Sequence, residues 1–390
     1  MKPFCLLVFM AADSDMDEVH DDDLREMMRV GSGPSLVVAV EVDRRGAFSF
    51  EKETDRKRLR SVRLVVEPNR LSMVEDLGET NTGDPQVLER FLKWGMSAFE
   101  AQRYGLVIWN HGGGVKDEDI YQRLGGPMKR PLFGQPKLGL QVRWVARDDT
   151  SRDFLDMIEL KKALSGHRRL DFIGFDACLM SMFEVAYQLR EATDYVVGSQ
   201  ENEPKEGWPY AEVLAHLASA ADVPTRDVTG SLVAAYIQRM VERGERATQS
   251  AISTDCLEDV AQAIDALAQG ILEAFDTIEL EMRRLIPHRL QRFRDRDYVD
   301  VLHFARICEG FGHSGIRSSS ERLRAALRRA VTANLATGEK LEEAHGLSIL
   351  FPAEALEGQV LQMYQRLDFV RRYPHWLNLI QTFYGGTVTM

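Results

Sequence analysis

The sequence predicts an α/β fold, a mostly parallel sheet flanked by helices, with a mainly helical C-terminal part, on three observations. Short apolar segments alternate with amphipathic helical patterns from Phe4 to Gly198, the order that builds parallel sheets. Two of those segments run directly into His111 and Cys178, and open α/β sheets bind ligands at the carboxyl ends of their strands. From about residue 251 the character changes to successive helices, so the chain divides into a sheet-bearing part, 1–250, and a helical subdomain, 251–390, packed on it.

Taken in order, Phe4 to Met10 is an apolar segment and Ser35 to Val42 a second one rich in β-branched residues, with a helix over Asp17 to Arg29 between them. The opening MKPFCLLVFMAADSD carries one Lys before a short apolar run that contains a Cys; it reads as a buried first strand and not as a signal peptide. Asp13, Asp15 and Asp17 alternate, but the sixth and twelfth places of an EF-hand loop hold Glu18 and Leu24 instead of Gly and Glu, so an acidic helix start fits better. Gly46 to Asn69 reads as a hairpin extending the sheet. LGETNTGDP is turn-rich, and Asp84 or Pro85 opens a helix with Val87, Leu88, Phe91 and Leu92 on its apolar face. Tyr104 to Trp109 is another buried strand, ending in Asn110, His111 and three glycines.

Residues 112–150 form a long connection with a hairpin near Leu138 to Val145, followed by a helix over Leu155 to Leu164. Leu170 to Arg190 reads as strand, sharp turn and helix, with Cys178 at the strand's carboxyl end and the helix's amino end, where unpaired N–H groups favour a thiolate. Tyr195 to Gly198 is a strand leading into SQENEPKEGWPY, an acidic loop holding Glu201, Glu203 and Glu206. Helices over Leu257 to Phe275, Arg283 to Arg292, Val299 to Cys308 and Glu321 to Leu335, a strand over Ala344 to Pro352 and a last helix over Trp376 to Tyr384 complete the chain.

A net charge of −11 argues against nucleic acid as the main partner, since backbone phosphates need clustered Lys and Arg. No apolar run approaches a membrane span. Cys5, Cys178, Cys256 and Cys308 are widely spaced, with no CxxC and no Cys/His cluster, so neither a disulfide framework nor a zinc site is indicated, and a reducing, cytoplasmic setting fits best.

The residues alone leave two readings of Cys178 open. A lone thiol in a strand-to-helix turn is either a small buried hydrophobe or a nucleophile. His111 at a strand end, followed by Gly112, whose N–H can approach a developing negative charge, supports the second.

WNHGGG (109–114), FDACLM (175–180), SQENEP with GWPY (199–210), GETNTGDP (78–85), RDYVDVLHFA (296–305) and HGLSILFP (345–352) occur in the order found in the clostripain family of cysteine peptidases, and the chain resembles that family over nearly its whole length. The resemblance implies a caspase-like sheet and a dyad of His111 and Cys178, with backbone N–H groups of Gly112 and Cys178 as oxyanion hole. It places Asp176 in the pocket for the residue before the scissile bond, Glu206 as a second pocket acid, and Ser199 and Glu201 among the substrate-binding residues. Two adjacent carboxylates repel, and an Arg or Lys side chain relieves the conflict, so the expected substrate is a protein with exposed Arg or Lys. The connection between 115 and 147 is itself basic in an acidic chain, which makes Arg123, Lys129 and Lys137 candidate points of self-cleavage; Arg130 precedes Pro131, a poor position. No cofactor is expected. Calcium dependence occurs in some relatives, but no clear ligand set is visible. The competing readings are a partner-gated or inactive caspase-like scaffold that acts by binding proteins, which the intact dyad opposes, and an acidic metal-binding module.

Overall fold

The computed structural model describes residues 1–14, 17, 19–44, 61–110 and 144–385. Its strands are β1 (Lys2–Ala12), β2 (Leu36–Arg44), β3 (Ser61–Glu67), β4 (Arg70–Gly78), β5 (Ala101–Trp109), β6 (Trp144–Asp148), β7 (Asp153–Asp156), β8 (Leu170–Asp176), β9 (Thr193–Gly198), β10 (Ala247–Ser253), β11 (Tyr298–Asp300), β12 (Val331–Thr337) and β13 (Ser348–Leu350). Its helices are α1 (His20–Val30), α2 (Pro85–Ala98), α3 (Met157–Leu164), α4 (Phe183–Leu189), α5 (Tyr210–Ser219), α6 (Thr225–Arg243), α7 (Leu257–Glu273), α8 (Phe275–Arg289), α9 (Val301–Glu309), α10 (Ser314–Ala330), α11 (Gly358–Gln365), α12 (Asp368–Arg372) and α13 (His375–Phe383).

Among the described residues the main sheet has nine strands in the order β12-β10-β9-β8-β5-β1-β2-β3-β4. Its centre, β9-β8-β5-β1-β2, is parallel, and antiparallel strands extend it on both sides. This is the mostly parallel α/β sheet that the alternating pattern predicts. The central strands are apolar on both faces because both faces are covered. Along β1, Cys5, Leu7 and Phe9 enter one core with α2, α3, α4 and the C-terminal helices, whereas Phe4, Leu6 and Val8 enter a second core with α1, α5 and α6. Every residue of β1 from Phe4 to Ala12 is at most 1% exposed, and each fully buried large side chain contributes roughly 1.5–3 kcal/mol.

The parallel direction has one consequence for function. Ala12, Arg44, Trp109, Asp176 and Gly198 all end their strands on the same edge of the sheet.

Elements differ from the sequence expectation in several places. The hairpin read between Gly46 and Asn69 lies further along: β3 and β4 pair antiparallel about Asn69, which takes a positive φ of 59°, and 45–60 lie outside the described residues. The hairpin read near Leu138 to Val145 lies mostly outside the described residues, and just beyond it β6 and β7 pair antiparallel; Asp156 at the end of β7 caps α3 by accepting from the Ile158 and Glu159 amides, both at 2.8 Å. The helix read over Glu321 to Leu335 stops at Ala330, and Val331–Thr337 returns as the edge strand β12 beside β10. No described helix is long and apolar enough to cross a membrane.

Candidate active site

β8 delivers its last residues to the edge where β5 also ends. Asp176 stands opposite Trp109 in the register, and the Asn110 amide donates to the Asp176 carbonyl at 3.3 Å. The residue before His111 is therefore fixed to the backbone two residues before Cys178. His111 and Gly112 themselves lie outside the described residues, as do Arg123, Lys129 and Lys137.

After Asp176 the chain does not enter a helix directly. Leu179 takes φ 62°, a left-handed conformation that side chains with a Cβ rarely adopt and that concentrates at functional sites. Its amide donates to the Glu201 carbonyl at 3.1 Å, and the Ser181 amide donates to the Ser199 carbonyl at 2.8 Å. Helix α4 begins only at Phe183, with Met182 giving no side-chain cap. The expectation that a helix dipole activates Cys178 is corrected accordingly, because the helix starts a full turn later and is short. The local polar partner of the sulfur is instead the acidic loop: the Glu203 amide donates to Cys178 Sγ at 3.2 Å. The sulfur in turn faces the Glu203 carbonyl at 3.8 Å, so the backbone of one residue both gives to it and takes from it.

Cys178 also differs from two other thiols of the chain in access. Cys5 and Cys308 are buried, and burial pushes the Cys5 thiol up to about 12 and raises that of Cys308. Cys178 is half-buried at the sheet edge.

Beside the sulfur lies a cluster of buried acids. Asp176 is 5% exposed and accepts from the Tyr210 hydroxyl at 2.8 Å and the Trp208 amide at 3.3 Å. Burial raises its carboxyl to about 6 in spite of those two donors. Glu203 is raised well above the usual range, first by burial and then by the charges of Asp176 and Cys178, and neither of its carboxyl oxygens meets a hydrogen-bond partner of good geometry. Asp23 from α1, which accepts from the Trp109 indole at 2.7 Å, is raised by burial and by Asp176. Trp208 Nε1 and Tyr236 OH are also buried and without a hydrogen-bond partner, and the Gln249 side chain lies beside Glu203. Buried polar atoms without partners are unusual in a folded protein.

Gly207 makes the cluster compact. Its φ is 54°, and a Cβ there would sit 2.8 Å from Asp176 Oδ1.

The other residues of the acidic loop have separate surroundings. Ser199 is fully buried and its hydroxyl bonds to the Glu201 carbonyl and to Thr248. The Glu201 carboxylate pairs with Arg246 at 2.6 Å and accepts from the Arg294 and Asn202 amides at 3.0 Å, so it ties the loop to the C-terminal part. Glu206 is partly exposed and pairs with Arg243 of α6 at 3.2 Å. The acid that joins Asp176 and Cys178 is Glu203, which sequence reasoning grouped with its neighbours but did not single out. Nothing in a run of three glutamates tells which one the fold will bury; the Asp23 carboxylate, from a helix far away in sequence, carries no sequence signal for this role at all.

Among solved structures, the fold is similar to a secreted C11 cysteine protease from Bacteroides thetaiotaomicron in complex with an irreversible peptide inhibitor, with a TM-score of 0.68 and 19% identity over 95% of this chain and 99% of that one. It is also similar to an inactive zymogen of a C11 protease from Parabacteroides distasonis, with a TM-score of 0.71 and 20% identity over 95% and 98%. At these identities the likeness shows the fold alone. In sequence, the chain is 28% identical to clostripain of Hathewaya histolytica over 205 residues, 47% of this chain but only 35% of clostripain's own length. The model of the clostripain family matches residues 8–374. By that match, which spans nearly every element described above, the chain belongs to the clostripain family of cysteine peptidases.

Proposed function

We propose that this protein is a cysteine endopeptidase that cuts after Arg or Lys, with Cys178 as nucleophile and His111 as its acid–base partner. The observation that carries the reading is the buried pair Asp176 and Glu203 against Cys178: two carboxyls raised by burial, next to a half-exposed thiol. In the reaction, the Cys178 thiolate attacks the scissile carbonyl, and the His111 imidazolium protonates the departing amine. An arginine or lysine before the scissile bond pairs with Asp176 and restores charge balance, each charge-assisted hydrogen bond contributing about 1.5–3 kcal/mol. Selectivity and nucleophile position thus share one turn, because Asp176 and Cys178 are two residues apart on it. The segment 115–147 carries the basic residues such an enzyme would accept, and the likeness to a zymogen supports self-cleavage there as an activating step.

One preparation tests the reading. Fluorogenic peptides with Arg, Lys or Asp before the cleaved bond are incubated with the wild-type chain and with Cys178→Ala, and both proteins are weighed intact by mass spectrometry. The expected result is turnover of the Arg and Lys peptides alone, its loss in the variant, and fragments ending at Arg123, Lys129 or Lys137 in the wild type only. Turnover of the Asp peptide would overturn the pocket assignment. A wild-type chain that is folded and turns over none of them supports the scaffold reading instead, and a fully active chain that stays intact refutes self-cleavage.

A further inference from the structure

RDYVDVLHFA (296–305) and HGLSILFP (345–352) lie outside the cluster of acids around Cys178, yet they meet at one buried pair. Asp300, which ends β11 and caps α9, is 0% exposed, and Gln200, in the loop after β9, is 1% exposed. Gln200 Nε2 donates to Asp300 Oδ2 at 3.0 Å, and Gln200 Oε1 accepts from the Gly346 amide at 2.7 Å. Asp300 also accepts from the His345 amide at 2.7 Å and, through its other oxygen, from the His303 amide at 2.8 Å. Each oxygen of the pair and the amide nitrogen between them is engaged, and a buried pair satisfied in this way holds a single geometry.

The loop that carries Gln200 bonds in two directions. Its side chains bond away from the turn of Cys178: Ser199 to Thr248 of β10, Gln200 to Asp300, and Glu201 to Arg246 and the Arg294 amide. Its backbone bonds to the turn itself. The Ser199 carbonyl accepts from the Ser181 amide, the Glu201 carbonyl accepts from the Leu179 amide, and the Glu203 amide donates to Cys178 Sγ. Leu179, at φ 62°, is in a conformation that persists only where the surroundings over-determine it, and this loop is what surrounds it. The Ser348 amide reaches the same turn directly, donating to the Ser181 carbonyl at 3.0 Å.

We propose that Gln200 and Asp300 are positioning residues whose buried hydrogen bond fixes the loop that shapes the turn of Cys178. The other ties of the loop are weaker. Arg246 is 42% exposed, so its ion pair with Glu201 is screened by water and contributes little, whereas the bond from Gln200 to the Asp300 carboxylate is charge-assisted and desolvated. The far end of the loop has separate support, because Trp208 and Tyr210, which bond Asp176, are packed in the second core with α5 and α6. Loosening Gln200 therefore displaces the turn of the thiol more than the Asp176 carboxylate, and it acts on the reaction rate more than on substrate binding. That kinetic consequence rests on the peptidase reading; the hold of the pair on the turn does not.

Two variants of the full chain test it: Gln200→Glu, which sets a second carboxylate against Asp300, and Gln200→Glu combined with Asp300→Asn, which restores one donor facing one acceptor with the roles exchanged. Steady-state kinetics are read on the Arg peptide. Hydrogen–deuterium exchange is read in the Cys178→Ala background, where no variant can cut itself. For Gln200→Glu the expected result is a kcat lower by about 10- to 100-fold, as for the loss of a hydrogen bond to a buried charge, with KM changed by less than about threefold. Exchange should quicken in peptides around 177–183 and 199–206 and stay as in the parent along β1. The combined variant should recover most of the kcat and of the protection, which a general loss of packing would not allow. A kcat that stays at the wild-type value in Gln200→Glu overturns the proposal, as does an effect on KM larger than that on kcat or a combined variant no faster than Gln200→Glu. If the wild-type chain turns over no peptide, the peptidase reading fails and the exchange map decides alone, unchanged protection around 177–183 being the result against the pair. Should Gln200→Glu fail to fold, Gln200→Ala, which removes the donor without adding a charge, takes its place in both measurements with the same expected split between kcat and KM.

Discussion

Asp176 and Glu203 are two acids in one desolvated place, and in the proposed reading the same burial that makes them costly makes them selective. A carboxylate that is hydrogen-bonded and raised only to about 6 is still charged at neutral pH, so in the proposed reaction Asp176 is the charge that would meet a basic side chain. Glu203 is raised as well, first by burial and then by the charges of Asp176 and Cys178. Asp176→Asn preserves the acceptor for Tyr210 and Trp208 but removes the charge. Its kcat/KM for Arg and Lys peptides should fall roughly 10- to 100-fold, the equivalent of one charge-assisted hydrogen bond of about 1.5–3 kcal/mol, with most of the loss in KM. Glu203→Gln should fall less. Steady-state kinetics on the two peptides decide it, and an Asp176→Asn enzyme with wild-type KM would place the selective charge elsewhere.

At the scale of elements, the site is a strand end, a strained turn and a loop folded back over it. Gly207 is the point where that loop touches the strand: its left-handed φ and the 2.8 Å approach of a Cβ to Asp176 Oδ1 leave no room for a side chain. Gly207→Ala should lower stability by about 1–2 kcal/mol, the order of an unfavourable left-handed residue, and should raise KM for Arg peptides more than it lowers kcat, because it displaces the acid and not the thiol. Denaturant melts and kinetics on the one variant read both effects. The strands that carry this arrangement were legible in the sequence because parallel strands are covered on both faces and read as apolar runs, so β1, β5 and β8 and the strand-end positions of Asn110 and Cys178 stand out. The turn was not: Leu179 takes a conformation that sequence patterns assign to Gly, and the helix was read as starting at Cys178. Val331 to Leu335 was read as helix because the apolar spacing of α10 runs on into it without a breaker, and only pairing with β10 makes it a strand. Glu203 was hidden for the same reason, since burial of a carboxylate is decided by elements distant in the chain.

Over the whole molecule, the buried acids set how stability depends on pH. Asp23, Asp176, Glu203 and Asp300 all have folded pKa values raised by burial. Above the ordinary carboxylate range the unfolded chain has released these protons while the folded chain still holds them, so stability falls as pH rises toward each folded value. The acids with depressed values, Glu258, Glu343 and Asp368, act oppositely, but their contribution is complete above the unfolded pKa and is lost only in acid. They leave the slope between pH 5 and 8 unchanged. His167 and His303 are lowered by burial and add stability as pH rises to about 6.5, the ordinary histidine value, against the acids. The share of Asp176 can be separated by difference. From an unfolded 3.8 to a folded value of about 6, with about 1.4 kcal/mol per unit, its charge costs on the order of 3 kcal/mol by neutral pH. In the Cys178→Ala background, which cannot cut itself, adding Asp176→Asn should therefore raise the melting temperature relative to the parent by about 5 °C at pH 8 compared with its effect at pH 4. Melting curves across that range make the comparison. A difference that does not grow with pH would mean that Asp176 is not under strain from its burial, and the electrostatic reason for preferring a basic substrate would be lost with it.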